Sequence, residues 1–449
     1  MRNKYTLKLL LSFFLLSQSI QAQESNYDAL DLQTCIEIAL ENNLTLKRSE
    51  VNLALNEATL LQNQGQRLPS LSAGGSTGYR WGRSINPVTN LFENNRIGNV
   101  NFSASTNVTL FAGQQITNSI KQAKTDIEVS RLNVKTTENN ITLNVINLFI
   151  NVIFSEEQLK IARNQMASTK EQLENTTKLV DAGSLPLANK LDLQAQNATN
   201  ELEVLNAENS LRGAKLNLLQ AMQLPFDPNL KVLAPDLSVE NVTMSGESVE
   251  EIYELSKEIL PQIKAAQLGV ESAEYGIRAA KGAFYPTLGI GADVFTNYVD
   301  VIPLLRDRDP FVMQLENNLS QAANVRLSIP IFSNFRNTAG VQRARLQRNL
   351  SEITAFEVKN ELRQDIEVAF TNAIAADQAY RSSLVRVSAL DESFRIAKQR
   401  FDAGAINFAD YQLAQNNLFN AQADLVTAKY TYIFRVKVLD FYLGNPLNL

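Results

Sequence analysis

The 449-residue chain contains no histidine. That excludes Ser-His-Asp and Cys-His catalysis, histidine zinc ligation and an imidazole proton shuttle at neutral pH. It has a single cysteine, Cys35, so neither an intramolecular disulfide nor a CxxC metal or redox motif is available. Glycine numbers 18 and proline 12, about 4% and 3% where ~7% and ~5% are usual. A chain so short of breakers can run long helices. Long apolar runs are scarce too. Beyond the N-terminus the nearest, Leu143 to Phe154, is interrupted by Asn144, Asn147 and Asn151, so no membrane-spanning helix is expected. No Walker A or GxGxxG loop is present. Length alone would suggest about three domains.

Residues 1–22 have the makeup of a secretory signal. Arg2, Lys4 and Lys8 supply positive charge, Leu9 to Leu16 a short apolar core, and Ala22 a small-residue exit. Removing this segment takes three of the 42 basic residues and leaves 39 against 47 acidic ones, a net charge of −8. Nucleic-acid binding, which needs a basic face, is not expected. Cys35 lies past the apolar core inside a helical pattern and reads as a small buried helix residue. The chain is therefore exported without a helical span. Either it is soluble or it meets a membrane through β-strands.

The sequence says the same thing twice. Leu68-Pro69-Ser70-Leu71 resembles Tyr285-Pro286-Thr287-Leu288, and Leu110-Phe111-Ala112-Gly113 faces Ile331-Phe332-Ser333-Asn334. Lys178 to Gly183 faces Gln399 to Gly404, and Pro225 faces Pro446. The last three pairs share an offset of 221 residues, which points to a duplicated half and not a short solenoid repeat. The expected organisation is a signal (1–22), a first repeat (23–225), a linker (226–246) and a second repeat (247–449).

Each half opens on a helix-like stretch, 31–66 and 247–281. Strands follow at about 70–83 and 98–111, then 285–298 and 322–332. Long helices close each half, 113–182 and 186–223, then 335–403 and 406–443. Residues 114–182 hold 69 positions without glycine or proline; as one helix they would be ~100 Å long. Val387, Leu390, Phe394, Ala397 and Phe401 step by threes and fours, as do Leu346, Leu350 and Ile353. Such stripes read as coiled-coil packing.

The strand segments alternate with period two. Val100, Phe102, Ala104 and Val108 interleave with Asn99, Asn101, Ser103, Ser105 and Asn107; Leu288, Ile290, Ala292 and Val294 interleave with Gly289, Gly291 and Asp293. Their length suits tilted outer-membrane strands of ~9–11 residues, and the small or amide-bearing face suits a wet lumen. A soluble sheet packed on a core is the alternative. Four strands cannot close a barrel, and open edges are not tolerated in lipid. Copies of the chain must then share one barrel, eight strands from two or twelve from three. Long polar loops are expected at about 83–98 and 299–321.

Taken together, the residues resemble the TolC-like outer-membrane efflux family. The resemblance rests on the opening Leu30-Asp31-Leu32-Gln33-Thr34-Cys35-Ile36-Glu37-Ile38-Ala39-Leu40-Glu41-Asn42-Asn43, the Leu-Pro-Ser-Leu lead into the first strand, and paired Ala-Gly turns at Gly183 and Gly404. It implies an α+β membrane protein: four strands per chain in a trimeric twelve-stranded barrel, continued by a long helical periplasmic tunnel. It implies no cofactor and no catalysis. The implied partners are two further copies, outer-membrane lipid, a periplasmic adaptor, and an inner-membrane transporter of the RND, ABC or MFS class.

A wide tube must be shut at rest, and the expected place is where the helices reverse at Gly183 and Gly404. The resemblance places an acidic constriction at Asp410, with Asn189 as its first-half counterpart and Leu413 where a second acidic ring could stand. The tyrosine and arginine that latch the closed state in well-known members fall on Phe401 and Ile406. Apolar contacts and one carboxylate ring are then expected to hold the gate. Spacing alone gives Asn407 and Asp410 a plainer reading, a helix cap and a first-turn acid. Two other functions stay open: a histidine-free carboxylate hydrolase, and an exported soluble coiled-coil adaptor or structural protein of the periplasm.

Overall fold

The computed structural model describes residues 29–85, 90–233, 246, 248–302 and 309–445. The export signal, most of the linker and the residues after Asn445 lie outside the described residues.

Two helices open the described chain, α1 (Leu32–Asn42) and α2 (Leu44–Gly65). The expected single stretch over 31–66 is thus broken at Asn43. This residue sits in an extended conformation, and its Oδ1 accepts from the amides of Thr45 and Leu46 at 2.8 and 3.2 Å. Strands β1 (Ser70–Ile85) and β2 (Phe92–Ala112) follow, then α3 (Gln115–Asp181) and α4 (Leu187–Ala221). The second half repeats the order: α5 (Val249–Ile259), α6 (Pro261–Gly282), β3 (Thr287–Ile302), a short α7 (Phe311–Asn317), β4 (Ser320–Ser328), α8 (Arg336–Asp402) and α9 (Phe408–Leu443). The break expected by no spacing argument, at Leu260-Pro261, follows from proline's preference for the first helical position.

The strands form one antiparallel sheet in the order β1-β2-β3-β4, with β1 and β4 as free edges. The β1–β2 ladder runs from Ser70↔Asn107 to Ile85↔Phe92, so most of the loop expected at 83–98 is strand. Asn94, Arg96 and Arg83 look like loop residues, but Tyr79, Trp81, Ile85 and Phe92 keep the period of two going. The loop expected at 299–321 is shortened likewise. β3 reaches Ile302, and α7 packs back on it through Tyr298 against Phe311 (4.9 Å) and a Thr296 hydroxyl donating to the Leu315 carbonyl at 2.6 Å. β4 stops at Ser328, short of the expected 332, because Pro330 has no amide to donate.

The helices make a layer four wide. Near the sheet its order is α2–α3–α6–α8; beyond the middle it is α4–α3–α9–α8. α3 and α8 each run 67 residues without a break, ~100 Å at 1.5 Å per residue. The other two columns are stacked pairs. α2 sits above α4, where the Asn42 amide donates to the Met222 carbonyl at 3.3 Å. α6 sits above α9, where the Ser256 hydroxyl donates to the Tyr442 carbonyl at 2.7 Å.

The main core lies at this middle level. Phe149, Ile146, Ile153 and Val145 of α3 pack with Leu218 of α4 and Met222 just past its end, with Leu30, and with Cys35 of α1. Burying each large side chain contributes ~1.5–3 kcal/mol. Asn144, Asn147 and Asn151 face out of this core, which explains the interrupted apolar run. Burial pushes the Cys35 thiol up to about 12. The described start of the linker, through Leu233, runs beside Leu30 and closes the same core with Leu230.

At the junction of sheet and helices two turns touch. Gly113 (φ +57°) and Gln114 (φ +63°) turn β2 into α3, and Asn334 and Phe335 do the same before α8. A Cβ on Gly113 would overlap the Gly282 carbonyl oxygen, and one on Gly282 would stand 2.8 Å from the Gly113 oxygen.

Candidate functional site

Cross-strand register sorts the sheet into two faces. One carries Leu71, Ala73, Tyr79 and Trp81 of β1; Val100, Phe102, Ala104 and Val108 of β2; Leu288, Ile290 and Val294 of β3; and Val325 and Leu327 of β4. Among the described residues only the short α7 meets it, beside Thr296 and Tyr298; elsewhere it is open, with Leu71 81% exposed, Trp81 70% and Val325 69%. Aromatic rings bound this band at both ends. Tyr79 and Trp81 stand toward the hairpins, and Phe284, Tyr285, Phe332 and Phe335 at the helix junction. Apolar bands between aromatic girdles are the pattern of lipid-facing barrel walls.

The other face is wet in character. Asn99, Asn101, Asn107, Asn297 and Asn324 alternate with serines and glycines. The Ser72 and Ser105 hydroxyls meet at 2.9 Å, and the Asn101 amide donates to Ser76 at 3.3 Å. Such a surface offers donors and acceptors to water.

At the far end the two helical hairpins reverse in the same way. Gly183 has φ +76° and Gly404 φ +69°. Ser184 N donates to Leu179 O and Gly183 N to Val180 O, both at 2.8 Å; Ala405 N donates to Arg400 O at 2.7 Å and Gly404 N to Phe401 O at 2.9 Å. This double bond pattern is the Schellman motif, which wants a left-handed residue and therefore glycine. Nothing lies within 4 Å of a Cβ at either position, so only the backbone angle opposes a side chain. Gly183→Ala and Gly404→Ala are expected to cost ~1–2 kcal/mol locally and leave the thermal melting of the assembly nearly unchanged. Circular dichroism and limited proteolysis of the tip would check this.

The gate residues expected from the sequence separate into two sets. Phe401 and Ile406 enter a cluster with Phe408 and Tyr411, with Phe394 of α8, and with Leu173 of α3 and Leu193 of α4. Phe401 stacks on Tyr411 at 4.8 Å and meets Phe408 edge-on at 6.0 Å. The cluster thus ties one hairpin to the other inside one chain. Asp410 and Leu413 instead face solvent, Leu413 61% exposed, and Asn189 is half-buried. The Asp410 amide donates to Asn407 Oδ1 at 2.8 Å. The capping geometry is therefore real, and it leaves the Asp410 carboxylate outside any ion pair among the described residues.

Sequence reading missed Tyr411, which is 5% exposed. Its oxygen accepts from the Gln172 amide at 2.5 Å, and burial, with Asp402 and Glu171 adding, holds its phenol above the usual range. A tyrosine one turn into a capped helix, opposite the Phe394–Phe401 stripe, was a usable signal. Around it the packing between hairpins is polar: Gln415 donates to Ser168 and Gln412 to Gln196, both at 3.0 Å; within the first hairpin Asn200 donates to Thr169 at 2.8 Å. Gln172 Oε1 and Asn197 Oδ1 are buried without partners. Each such atom costs ~1–3 kcal/mol, so this seam is less firmly closed than the apolar middle.

Comparison with known proteins agrees with this geometry. The family model described as outer membrane efflux protein matches residues 35–222 and again 252–445. The outer membrane efflux protein BepC of Brucella suis biovar 1 (strain 1330) is 20% identical over 396 residues, covering 88% of this chain and 81% of its own. The proteases secretion protein PrtF of Dickeya chrysanthemi is 22% identical, over 62% of this chain and 58% of its own. Among solved structures, the Campylobacter jejuni CmeC outer membrane channel aligns with a TM-score of 0.78 at 16% identity, covering 93% of this chain and 86% of that one. CusC, solved in work on folding and transmembrane channel formation, aligns at 0.76 and 17% identity over 92% of both chains. The fold is that of an outer-membrane channel subunit, strands for a shared barrel above and helices for a periplasmic tunnel below. This chain belongs to the outer membrane efflux protein family.

Proposed function

We propose that three copies of this chain close a twelve-stranded barrel and a twelve-helix tunnel, and that the tube is the exit duct of a tripartite efflux or type I secretion system. The observation that carries this reading is a sheet with two free edges and a largely uncovered apolar face. Unpaired edge amides and carbonyls are costly in lipid, and pairing β1 of one copy with β4 of the next satisfies them. The helical layer has matching edges. Leu346, Leu350 and Ile353 on α8, read from sequence as packed, are 59%, 55% and 56% exposed. On the opposite edge Val51, Leu55 and Leu61 of α2 and Leu202 and Leu205 of α4 are exposed as well. Two unlike apolar edges meet in a head-to-tail ring, and three copies give a bore wide enough to conduct where two would be filled.

The chain carries no nucleotide loop, so transport energy comes from an inner-membrane transporter of the RND, ABC or MFS class, coupled by a periplasmic adaptor. The hairpin ends at Gly183 and Gly404 are the adaptor contact and the gate. Three Asp410 carboxylates around the axis form the constriction, with Asn189 and Leu413 beside it. Such a ring attracts cations and collects divalent ions. The test is planar-bilayer conductance of protein extracted from the outer-membrane fraction. Wild type is expected to conduct weakly, prefer cations and be blocked by divalent ions; Asp410→Ala should lose both preference and block. A chain that washes off without detergent would sink the duct, and an unchanged Asp410→Ala would remove Asp410 from the gate.

A further inference from the structure

The lipid-facing side of the sheet carries one charged feature that conduction does not use. Continuing the outward alternation of β1 beyond Tyr79 and Trp81 brings Arg83; directly across from Trp81 on β2 stands Arg96. Each guanidinium lies over a ring, Arg83 at 4.8 Å from the Phe92 centroid and Arg96 at 5.0 Å from that of Tyr79. Trp81 and Tyr79 are themselves in contact at 6.0 Å. Neither arginine has a carboxylate partner among the described residues. Glu93, opposite Ser84, belongs by alternation to the other face, and Asp300 on the outward face stands across from Gly98, over on β3. Among the described residues of this face, two positive charges therefore stand against one negative.

The level of these arginines decides their partner. The hairpin between β1 and β2 points away from the helices, so it lies at the outer leaflet. Tyr79 and Trp81 mark the depth where aromatic side chains meet headgroups. Arg83 lies two residues further out, about 7 Å along a strand, and so at headgroup level. A guanidinium there is tolerated, but it is stabilised only if an anion meets it. Planar guanidinium groups bind phosphate through paired, charge-assisted hydrogen bonds, and rings beneath them hold their orientation.

We propose that Arg83 and Arg96, framed by Tyr79, Trp81 and Phe92, bind a phosphate-bearing glycolipid headgroup of the outer leaflet, one site per chain. The site depends on the outer-membrane barrel and is independent of what the duct carries or how it is gated. Its role is to seat the barrel at a fixed depth.

The chain's single tryptophan is Trp81, which gives a direct optical readout. Full-length protein is extracted in mild detergent from the outer-membrane fraction, so a chain that is not in the membrane fails at that step and not at the lipid step. Titration with diphosphorylated lipid A is expected to shift Trp81 emission saturably, while the dephosphorylated form should leave it unchanged. Native mass spectrometry should find about tenfold less bound lipid A on Arg83→Ala/Arg96→Ala than on wild type, a tenfold change corresponding to about 1.4 kcal/mol. Arg80→Ala, three positions away but on the opposite face, should retain the wild-type amount. Equal shifts from both lipid forms, or equal retention by the double variant, would overturn the proposal. Should the double variant not assemble, the wild-type titration decides alone.

Discussion

Gly113→Ala is expected to abolish assembly of the chain in the outer membrane. Gly113 lies at φ +57°, which costs an alanine ~1–2 kcal/mol. Its new methyl would also overlap the Gly282 carbonyl oxygen and approach Tyr285 Cβ to 2.6 Å. The first of these obstacles is backbone and cannot rotate away, and overpacking of this kind typically costs a further ~1–3 kcal/mol. A total of about 2–5 kcal/mol is a large share of a folded domain's margin. The location multiplies the effect, because this contact fixes how the sheet is set on the helices. The measurement is the yield of detergent-stable oligomer in the outer-membrane fraction, with Gly340→Ala, in α8 with nothing within 4 Å of its Cβ, as the tolerated control. Normal assembly of Gly113→Ala would mean the two turns can separate freely.

Tyr411→Ala is expected to leave assembly intact and open the duct. The ring touches Phe394, Phe401 and Phe408 and is nearly fully buried. Removing a buried aromatic costs ~3–5 kcal/mol. The contacts with Phe394, Phe401 and Phe408 lie within the α8–α9 hairpin and persist in a splayed tip, whereas the Gln172 bond and the packing on Leu173 and Leu193 join the two hairpins. The share of the loss that crosses between hairpins falls on the arrangement in which they are held together. A differential of even ~1.4 kcal/mol shifts the ratio of held to splayed tips about tenfold. Single-channel conductance in planar bilayers should rise from intermittent to sustained. Tyr411→Phe, which gives up only the Gln172 bond, should fall between wild type and alanine, as a bond worth ~1 kcal/mol requires. If Tyr411→Ala conducts like wild type, the aromatic cluster has no part in keeping the tip shut.

What was legible in the sequence was whatever repeats. The long helices follow from the scarcity of glycine and proline, and the strands from alternation such as Val100-Asn101-Phe102-Ser103. The α+β channel fold and the family follow from those together with the opening motif. Strand ends were misjudged because composition and register disagree there: Arg83 and Asn94 look like loop, yet they pair, and Ile329 and Ile331, on either side of Pro330, look like strand although the ladder ends at Ser328. The breaks at Asn43 and Leu260 were hidden because a capping residue and an N1 proline are local signals inside otherwise helical runs. Leu346, Leu350 and Ile353 show the opposite limit. A stripe announces that it will be packed but not by which chain. Tyr411 escaped because its importance depends on Gln172, 239 positions away, and no spacing rule reaches that far.

The four columns of the wall differ in how they respond to added length. α3 and α8 are unbroken struts, and inserting one residue in either would rotate everything beyond it by about 100°. The stacked columns have joints, near Met222 beside Asn42 and near Gly444 beside Ile259. Extra chain can leave the wall at those joints as a loop and return in phase. A duct of this design can thus take on a girdle of new segments at mid-height while its bore and the spacing of its ends stay fixed. To become longer, it must grow by whole turns in all four columns at once.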